Sequence, residues 1–139
     1  MVELPPEIRA LFDGPSYGHV ATLMPDGSPH SVAVWVGVEG EHVVFFTQTG
    51  SRKARNLERD PRVAISMLDH ADPYTTARIR GRVVRTTTGD EAFAVIDRMA
   101  VRYTGEPFPM RPPTSIVYFI EPTSTGYMKL PFEHRPHAA

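Results

Sequence analysis

At 139 residues, 41% hydrophobic and 22% charged, the chain can bury one core of ordinary size and has no room for a second domain. Its net charge of −1 gives no surface-wide attraction for nucleic acid or an anionic membrane, and the absence of cysteine excludes disulfides, thiolate metal sites and cysteine nucleophiles. No apolar run approaches a membrane span and the N-terminus has no basic-then-apolar signal pattern, so a single domain over residues 1–139 in the cytoplasm is expected.

Residues 4–13 read as a short amphipathic helix. Pro5 and Pro6 suit its first turn, and Ile8, Leu11 and Phe12 fall on one face that can close one end of a barrel. Strand signals recur at 18–24, 30–38, 43–48, 62–68, 76–87 and 115–121. Turns at Pro25, Asp26 and Gly27 and at Glu39, Gly40 and Glu41 are short enough to join antiparallel neighbours. Alternation along 30–38 puts Val32, Val34, Val36 and Val38 on a core face. Ser31, Ala33, Trp35 and Gly37 share the other face, where Trp35 can meet a flat ring or a second subunit. A helix over about 90–103 sets Ala92, Val95, Ile96, Met99 and Tyr103 on one stripe suited to core packing, with Arg98 and Arg102 on a more polar side. The proline-bearing loop 105–114 is stiff enough for a lid, a dimer contact or a plain connector, and the tail 126–137 can end in a last strand or cross a partner's site. Six strands with one short helix among them predict a closed antiparallel barrel rather than a layered parallel sheet.

Residues 42–69 carry the most information. They read as a strand, a turn at Thr49 and Gly50, a short helix opened by Ser51, Arg52 and Lys53, a stop at Asp60 and Pro61, and a second strand. The first turn of a helix has backbone N–H groups without intrahelical partners and a partial positive charge, which together attract an anion. Ser51 can cap that turn or donate to a phosphate oxygen, Arg52 offers a planar fork of donors, and Lys53 offers a compact point charge. Asn56, four residues beyond Arg52, can face the same ligand. A solvated surface helix with Ala54 and Leu57 turned inward accounts for the same spacing, and on spacing alone it is the simpler account.

The order Phe-Phe-Thr, three residues, Ser-Arg-Lys-Ala, two residues, Leu57, two residues, Asp60 and Pro61 resembles the strand-helix-strand signature of the pyridoxamine-phosphate-oxidase-like flavin split barrels. Ala21, Thr22 and Leu23 ahead of Asp26, Gly27, Ser28 and Pro29 resemble that family's opening hairpin. Ile79, Arg80, Gly81, Arg82 and Val83 resemble a later barrel strand. The resemblance implies a mainly β fold, a six-stranded antiparallel split β-barrel of Greek-key type with a few short helices. It also implies that Thr47, Ser51, Arg52 and Lys53 hold the phosphate of a flavin-type cofactor, with Phe46 and Gln48 supplying backbone at the strand end. Family members bind the ring at a two-fold interface built by both chains, so a homodimer with two sites is expected, and Trp35 is a contact for the ring.

Two departures refine the expectation. FMN-dependent pyridoxamine phosphate oxidases carry an arginine and a lysine in the equivalent of residues 31–36, where this chain reads Ser-Val-Ala-Val-Trp-Val. Nor does the sequence show those enzymes' C-terminal arginine and histidine segment, so vitamin B6 oxidation is not expected. Arg102, Tyr103, Thr104 and Gly105 resemble a segment of short actinobacterial relatives, many of which use the deazaflavin coenzyme F420. The expected cofactor is therefore F420, with FMN as the alternative, and the expected activity is hydride transfer from the deazaflavin to a conjugated small-molecule acceptor.

Arg78, Arg80 and Arg82 alternate onto one face of a strand and need carboxylates, water or an anionic ligand. Arg80 is taken as a contact for the poly-glutamate tail of F420 or for a partner subunit. Arg98 and Arg102 either reach toward such a tail or face solvent. A non-catalytic carrier of a flavin, a deazaflavin or haem is the alternative from another class, with His134 and His137 the histidines placed for haem. The six histidines show no metal-ligand spacing, so no metal is expected. No nucleophile elbow, dinucleotide-binding glycine fingerprint or Walker loop is present either, and no catalytic acid or base can be named.

Overall fold

A computed structural model describes residues 1–137, and the last two positions of the expected domain lie outside the described residues. Its elements run α1 (Pro6–Phe12), β1 (Gly18–Leu23), β2 (Pro29–Val34), β3 (Gly37–Glu39), β4 (His42–Gln48), α2 (Arg52–Arg59), β5 (Arg62–Leu68), β6 (Thr75–Thr87), α3 (Gly89–Thr104) and β7 (Ser115–Lys129). All strand pairings are antiparallel within one sheet of order β2-β1-β5-β6-β7-β4-β3. The fold is the expected mainly β split barrel, with seven strands in place of six.

Turn chemistry sets the two tight hairpins. Gly27 (φ 86°) closes the β1–β2 loop, its amide donating to the Met24 carbonyl at 2.9 Å, and Asp26 accepts the Ser28 amide at 3.0 Å. Gly40 (φ 63°) takes the first central position of the two-residue turn between Glu39 and His42, where the strand twist demands a positive φ.

The strand expected at 30–38 is broken at Trp35 and Val36. The Val36 amide donates to the Tyr103 hydroxyl at 3.0 Å, and that hydroxyl donates to the Ser16 carbonyl at 2.6 Å. A side chain on α3 thus satisfies a backbone group that a strand neighbour would otherwise take, and the chain can kink without an unpaired buried amide. The last strand differs in the other direction, continuing past Glu121 to Lys129. Pro122 makes it look finished in sequence, yet Pro122 sits at a register shift between Arg80 and Gly81 where its missing N–H costs no ladder bond. Gly81 faces it, because a Cβ there would lie 2.4 Å from the Glu121 carbonyl oxygen.

Apolar side chains gather on both sides of the sheet. Val20, Val36, Val43, Phe45, Ile65, Ile79 and Ile120 fill the barrel, which α1 closes with Ile8 and Phe12. On the other side α3 lays Ala92, Val95, Ile96 and Met99 over Val44, Val117 and Phe119. Strand β4 serves both clusters: Val43, Phe45 and Thr47 turn into the barrel, while Val44 and Phe46 turn toward α3. That two-residue period decides which side chains reach the start of α2.

Candidate functional site

Helix α2 follows β4 after a turn in which the Ser51 amide donates to the Gln48 carbonyl at 3.1 Å, with Gly50 at φ 87°. Ser51 is the N-cap, and its hydroxyl oxygen accepts the Ala54 amide at 3.2 Å. Thr47, turned inward at the end of β4, donates its own hydroxyl to the same oxygen at 3.0 Å. With both lone pairs of Ser51 engaged, its hydroxyl proton is free for an outside acceptor. Neither the Arg52 nor the Lys53 amide has a partner among the described residues. The helix ends at Asp60, which Pro61 forces into an extended conformation. There the Arg62 guanidinium and backbone amide hold the Asp60 carboxyl at about 2.

The two cations of the first turn lack acidic partners. Among the described residues no carboxylate lies within ion-pairing distance of Arg52 or Lys53. Burial alone pulls the Lys53 ammonium below its ordinary pKa, with no opposing anion to restore it. Arg52 has one partner, the Asn56 side-chain carbonyl at 3.5 Å. Two unneutralised cations, two free amides and one free hydroxyl proton therefore converge on the start of one helix, a donor set that fits a phosphate group.

The expected site residues divide into three groups. Thr47, Ser51, Arg52 and Lys53 are brought together as anticipated. Asn56 is different: it is fully buried, and its amide donates to the Thr22 hydroxyl at 3.0 Å, so it faces the barrel interior rather than a ligand. The physical reason is its place on the inward side of α2, between Ala54 and Leu57 in the buried set. From there it steadies Arg52 instead of binding beside it.

The side chains of the third group lie elsewhere, although Phe46 and Gln48 were expected to contribute backbone only. The Phe46 side chain points to the opposite side of the sheet from Thr47, packing 5.5 Å from the Phe108 ring. Gln48 accepts the Thr114 hydroxyl and, with the bond from the Thr49 amide to the Thr114 carbonyl at 2.8 Å, ties down the end of the proline-bearing loop. Trp35 stacks on Tyr103 at 4.9 Å and 11°, with Phe108 edge-on at 5.9 Å, so one face of the indole is taken by the chain's own tyrosine. Arg80 is exposed, donates to Ser124 at 3.3 Å, and lines a hollow of about 310 Å³ with Ala21, Ala64 and Arg62 on the outer side of the sheet.

Other arginines are accounted for internally. Arg98 pairs with Glu39 at 2.6 Å and Arg102 with Asp13 at 3.0 Å, so neither is left over for a cofactor tail. The loop 105–114 is held to α3 by Arg111 and Asp97 at 2.8 Å. His134 lies in an exposed tail 6.3 Å from the Tyr74 ring, and no group of three or more metal-binding side chains occurs among the described residues. No helix among them is long and apolar enough to cross a membrane.

Thr22 joins this neighbourhood through a contact that spacing does not show. Thr22 is buried beneath Asn56, and His30 is its cross-strand partner. The contact joining Thr22 to Asn56 spans 34 residues, so the hairpin pattern around Thr22 gave no sign of it.

A family model described as pyridoxamine 5'-phosphate oxidase matches residues 4–129. The chain belongs to that family. Over 81 residues, 58% of this chain, it is 33% identical to a pyridoxine/pyridoxamine 5'-phosphate oxidase of Rubrobacter xylanophilus, and the matched stretch spans 37% of that protein's length. A solved structure of an F420 reductase is 31% identical, with a TM-score of 0.77 over 88% of this chain and 98% of its own. A conserved hypothetical protein of Mycobacterium tuberculosis is 25% identical, with a TM-score of 0.79 over 100% of this chain and 94% of its own. The split barrel is thus common to the family and to both solved neighbours, and the start of α2 lies inside the matched region.

Proposed function

We propose that the protein is an oxidoreductase that seats the phosphate of coenzyme F420 at the start of α2 and directs hydride transfer to a conjugated small-molecule acceptor. The observation that carries this reading is the pair of cations, Arg52 and Lys53, left without carboxylates beside the free Ser51 hydroxyl proton. When bound, the deazaflavin supplies the redox chemistry. The chain's share is positional. Lys53 and Arg52 neutralise the phosphate, Ser51 and the two free amides fix its oxygens, and Thr47 holds Ser51 in place.

F420 is favoured over FMN on two counts. The F420 reductase aligns over nearly its whole length, whereas the matched stretch spans little more than a third of the pyridoxine/pyridoxamine oxidase. In addition, β2 carries no cation, and its outward residues Ser31 and Ala33 offer no charge to a flavin phosphate. FMN remains the second reading because the family match rests on a flavin oxidase.

Fluorescence titration with F420 and with FMN, on the native chain and on Arg52→Ala/Lys53→Ala, tests the assignment. Each charge-assisted bond is worth about 1.5–3 kcal/mol, so the double variant should bind on the order of 100-fold more weakly or worse. Unchanged affinity would remove the phosphate seat from consideration, and tighter binding of FMN would move the protein to the flavin branch.

A further inference from the structure

Two guanidiniums on the outer side of the sheet lie against the same neighbouring strand. Arg78 and Arg80, two residues apart on β6, share that side, and the register sets Gly126 of β7 opposite Arg78 and Ser124 opposite Arg80. The Arg80 guanidinium donates to the Ser124 hydroxyl at 3.3 Å. The Arg78 guanidinium rests on the Gly126 backbone, so closely that a Cβ at Gly126 would lie 2.3 Å from its Nη1 atom and 2.4 Å from its Cζ atom. Gly126 is extended strand without a positive φ, so its backbone would accept any residue. Room for the Arg78 guanidinium is what the missing side chain provides.

Neither arginine is neutralised. Among the described residues no carboxylate lies within ion-pairing distance of either. The β5 positions paired with them, Ser66 and Ala64, carry no charge, and neither does Thr76 on the same side of β6. Two like charges leaning onto one strand repel each other, and nothing but solvent would keep a purely solvated pair there. An anion completes such an arrangement. Because each guanidinium lies over the residue opposite it, their separation follows the rise of the strand over two residues, roughly 7 Å. A planar fork grips one carboxylate in bidentate fashion, so this spacing suits two carboxylates carried by one molecule.

We propose that Arg78 and Arg80, laid over Gly126 and Ser124, form a binding site for a small-molecule dicarboxylate, one guanidinium on each carboxylate. The site is built from β6 and β7 alone and does not depend on the phosphate seat at the start of α2. Its two carboxylates belong to a separate small molecule or to the glutamate tail of the deazaflavin coenzyme, and the recognition chemistry is the same for both.

Nitrogen-15 NMR of the arginine Nε–H groups, read on the full chain during titration with adipate and with acetate, tests the site. Adipate, whose extended chain spaces its carboxylates by a similar distance, should move the Arg78 and Arg80 signals together. It should saturate them at a concentration on the order of 10-fold below acetate, as a second charge-assisted bond provides. Arg78→Ala and Arg80→Ala should each abolish that advantage. Gly126→Ala, which keeps both charges but lifts the Arg78 guanidinium off the strand, should abolish it too, while Arg52→Ala/Lys53→Ala should leave it intact. Equal saturation by adipate and acetate, or an adipate advantage that survives Arg78→Ala or Gly126→Ala, would overturn the site as diffuse charge attraction. Loss of the advantage in Arg52→Ala/Lys53→Ala would overturn it as well, by moving the dicarboxylate to the phosphate seat. If Gly126→Ala does not fold, Arg78→Gln, which keeps the polar stem and removes the charge, decides. F420 and its tail-free form, titrated against the native chain and Arg78→Ala/Arg80→Ala, separate the two sources. A loss confined to the tailed coenzyme assigns the carboxylates to the tail, and equal affinities, or no binding of either form, assign them to a separate small molecule.

Discussion

Lys53 shows how a single residue links the fold to the proposed phosphate seat. Burial holds its ammonium below the ordinary value of 10.5, so the folded chain gives up that proton more readily than the unfolded chain. Just below 10.5 the unfolded state therefore binds more protons, and stability should rise with pH through that window. Thermal melting against pH should show this rise in the native chain and not in Lys53→Met. Added inorganic phosphate should raise the native melting temperature and leave the variant's nearly unmoved. Tyr118 acts in the opposite sense. It is 2% exposed, its hydroxyl has no hydrogen-bond partner among the described residues, and burial pushes its pKa up to about 12 from an ordinary 10.0. The stability it permits is complete below pH 10 and is lost as pH rises from 10 toward 12, because only the unfolded chain ionises freely there. Tyr118→Phe should flatten that alkaline loss and, by removing an unsatisfied hydroxyl, leave neutral-pH stability equal or higher. A variant less stable at pH 7 would mean that the hydroxyl has a partner after all.

Among the elements, α3 does more than cover the sheet. Its Tyr103 hydroxyl joins the Ser16 carbonyl and the Val36 amide, and its ring stacks on Trp35, so one side chain fixes both the break between β2 and β3 and the aromatic cluster behind β4. Removing that hydroxyl leaves a part-buried carbonyl and amide unpaired, at about 1–3 kcal/mol. Urea denaturation of Tyr103→Phe should show a loss of that size together with altered Trp35 emission; a change under 0.5 kcal/mol would show that solvent replaces the hydroxyl without difficulty. The exposed ion pairs of α3 with Glu39 and Asp13 carry far less, about 0–1 kcal/mol each. Sequence pattern served well where an element's neighbours are local: the Ser51 cap, the Gly50 turn and the Asp60-Pro61 stop are where spacing put them. It failed where a partner is distant. The break at Val36 depends on a residue 67 positions away, and the inward turn of Asn56 depends on one 34 positions away.

At the scale of the whole molecule, α3 covers one side of the sheet behind β4 and β7, while Ser31, Ala33, His19, Ser66, Arg78 and Arg80 stay exposed on the outer side of β2, β1, β5 and β6. Ser31, Ala33 and Ser66 on this surface are small, and Arg78 and Arg80 have no carboxylate within ion-pairing distance among the described residues. We propose that a second copy of the chain packs against this surface, in a homodimer with sites built by both subunits. Sedimentation equilibrium should give twice the 15.5 kDa of one chain, and Ala64→Arg, which puts a further cation at the middle of that surface, should shift the mass toward the monomer. A native chain that sediments as a monomer would leave the site to one subunit.

While the grouping of Thr47 with Ser51, Arg52 and Lys53 came from the family resemblance, the sequence by itself determined the two glycine turns and, to within one break and one extension, the strand and helix inventory. Those features follow from local rules: a two-residue strand period, a capping hydroxyl, a positive φ, and a proline that ends a helix. Only the tertiary structure decided that Lys53 and Arg52 lack acidic partners among the described residues while Arg98 and Arg102 have them, that Trp35 stacks on Tyr103, and that Asn56 turns inward onto Thr22. Charge neutralisation and hydrogen-bond satisfaction are settled between residues far apart in the chain, and no periodicity records which distant group arrives to complete them.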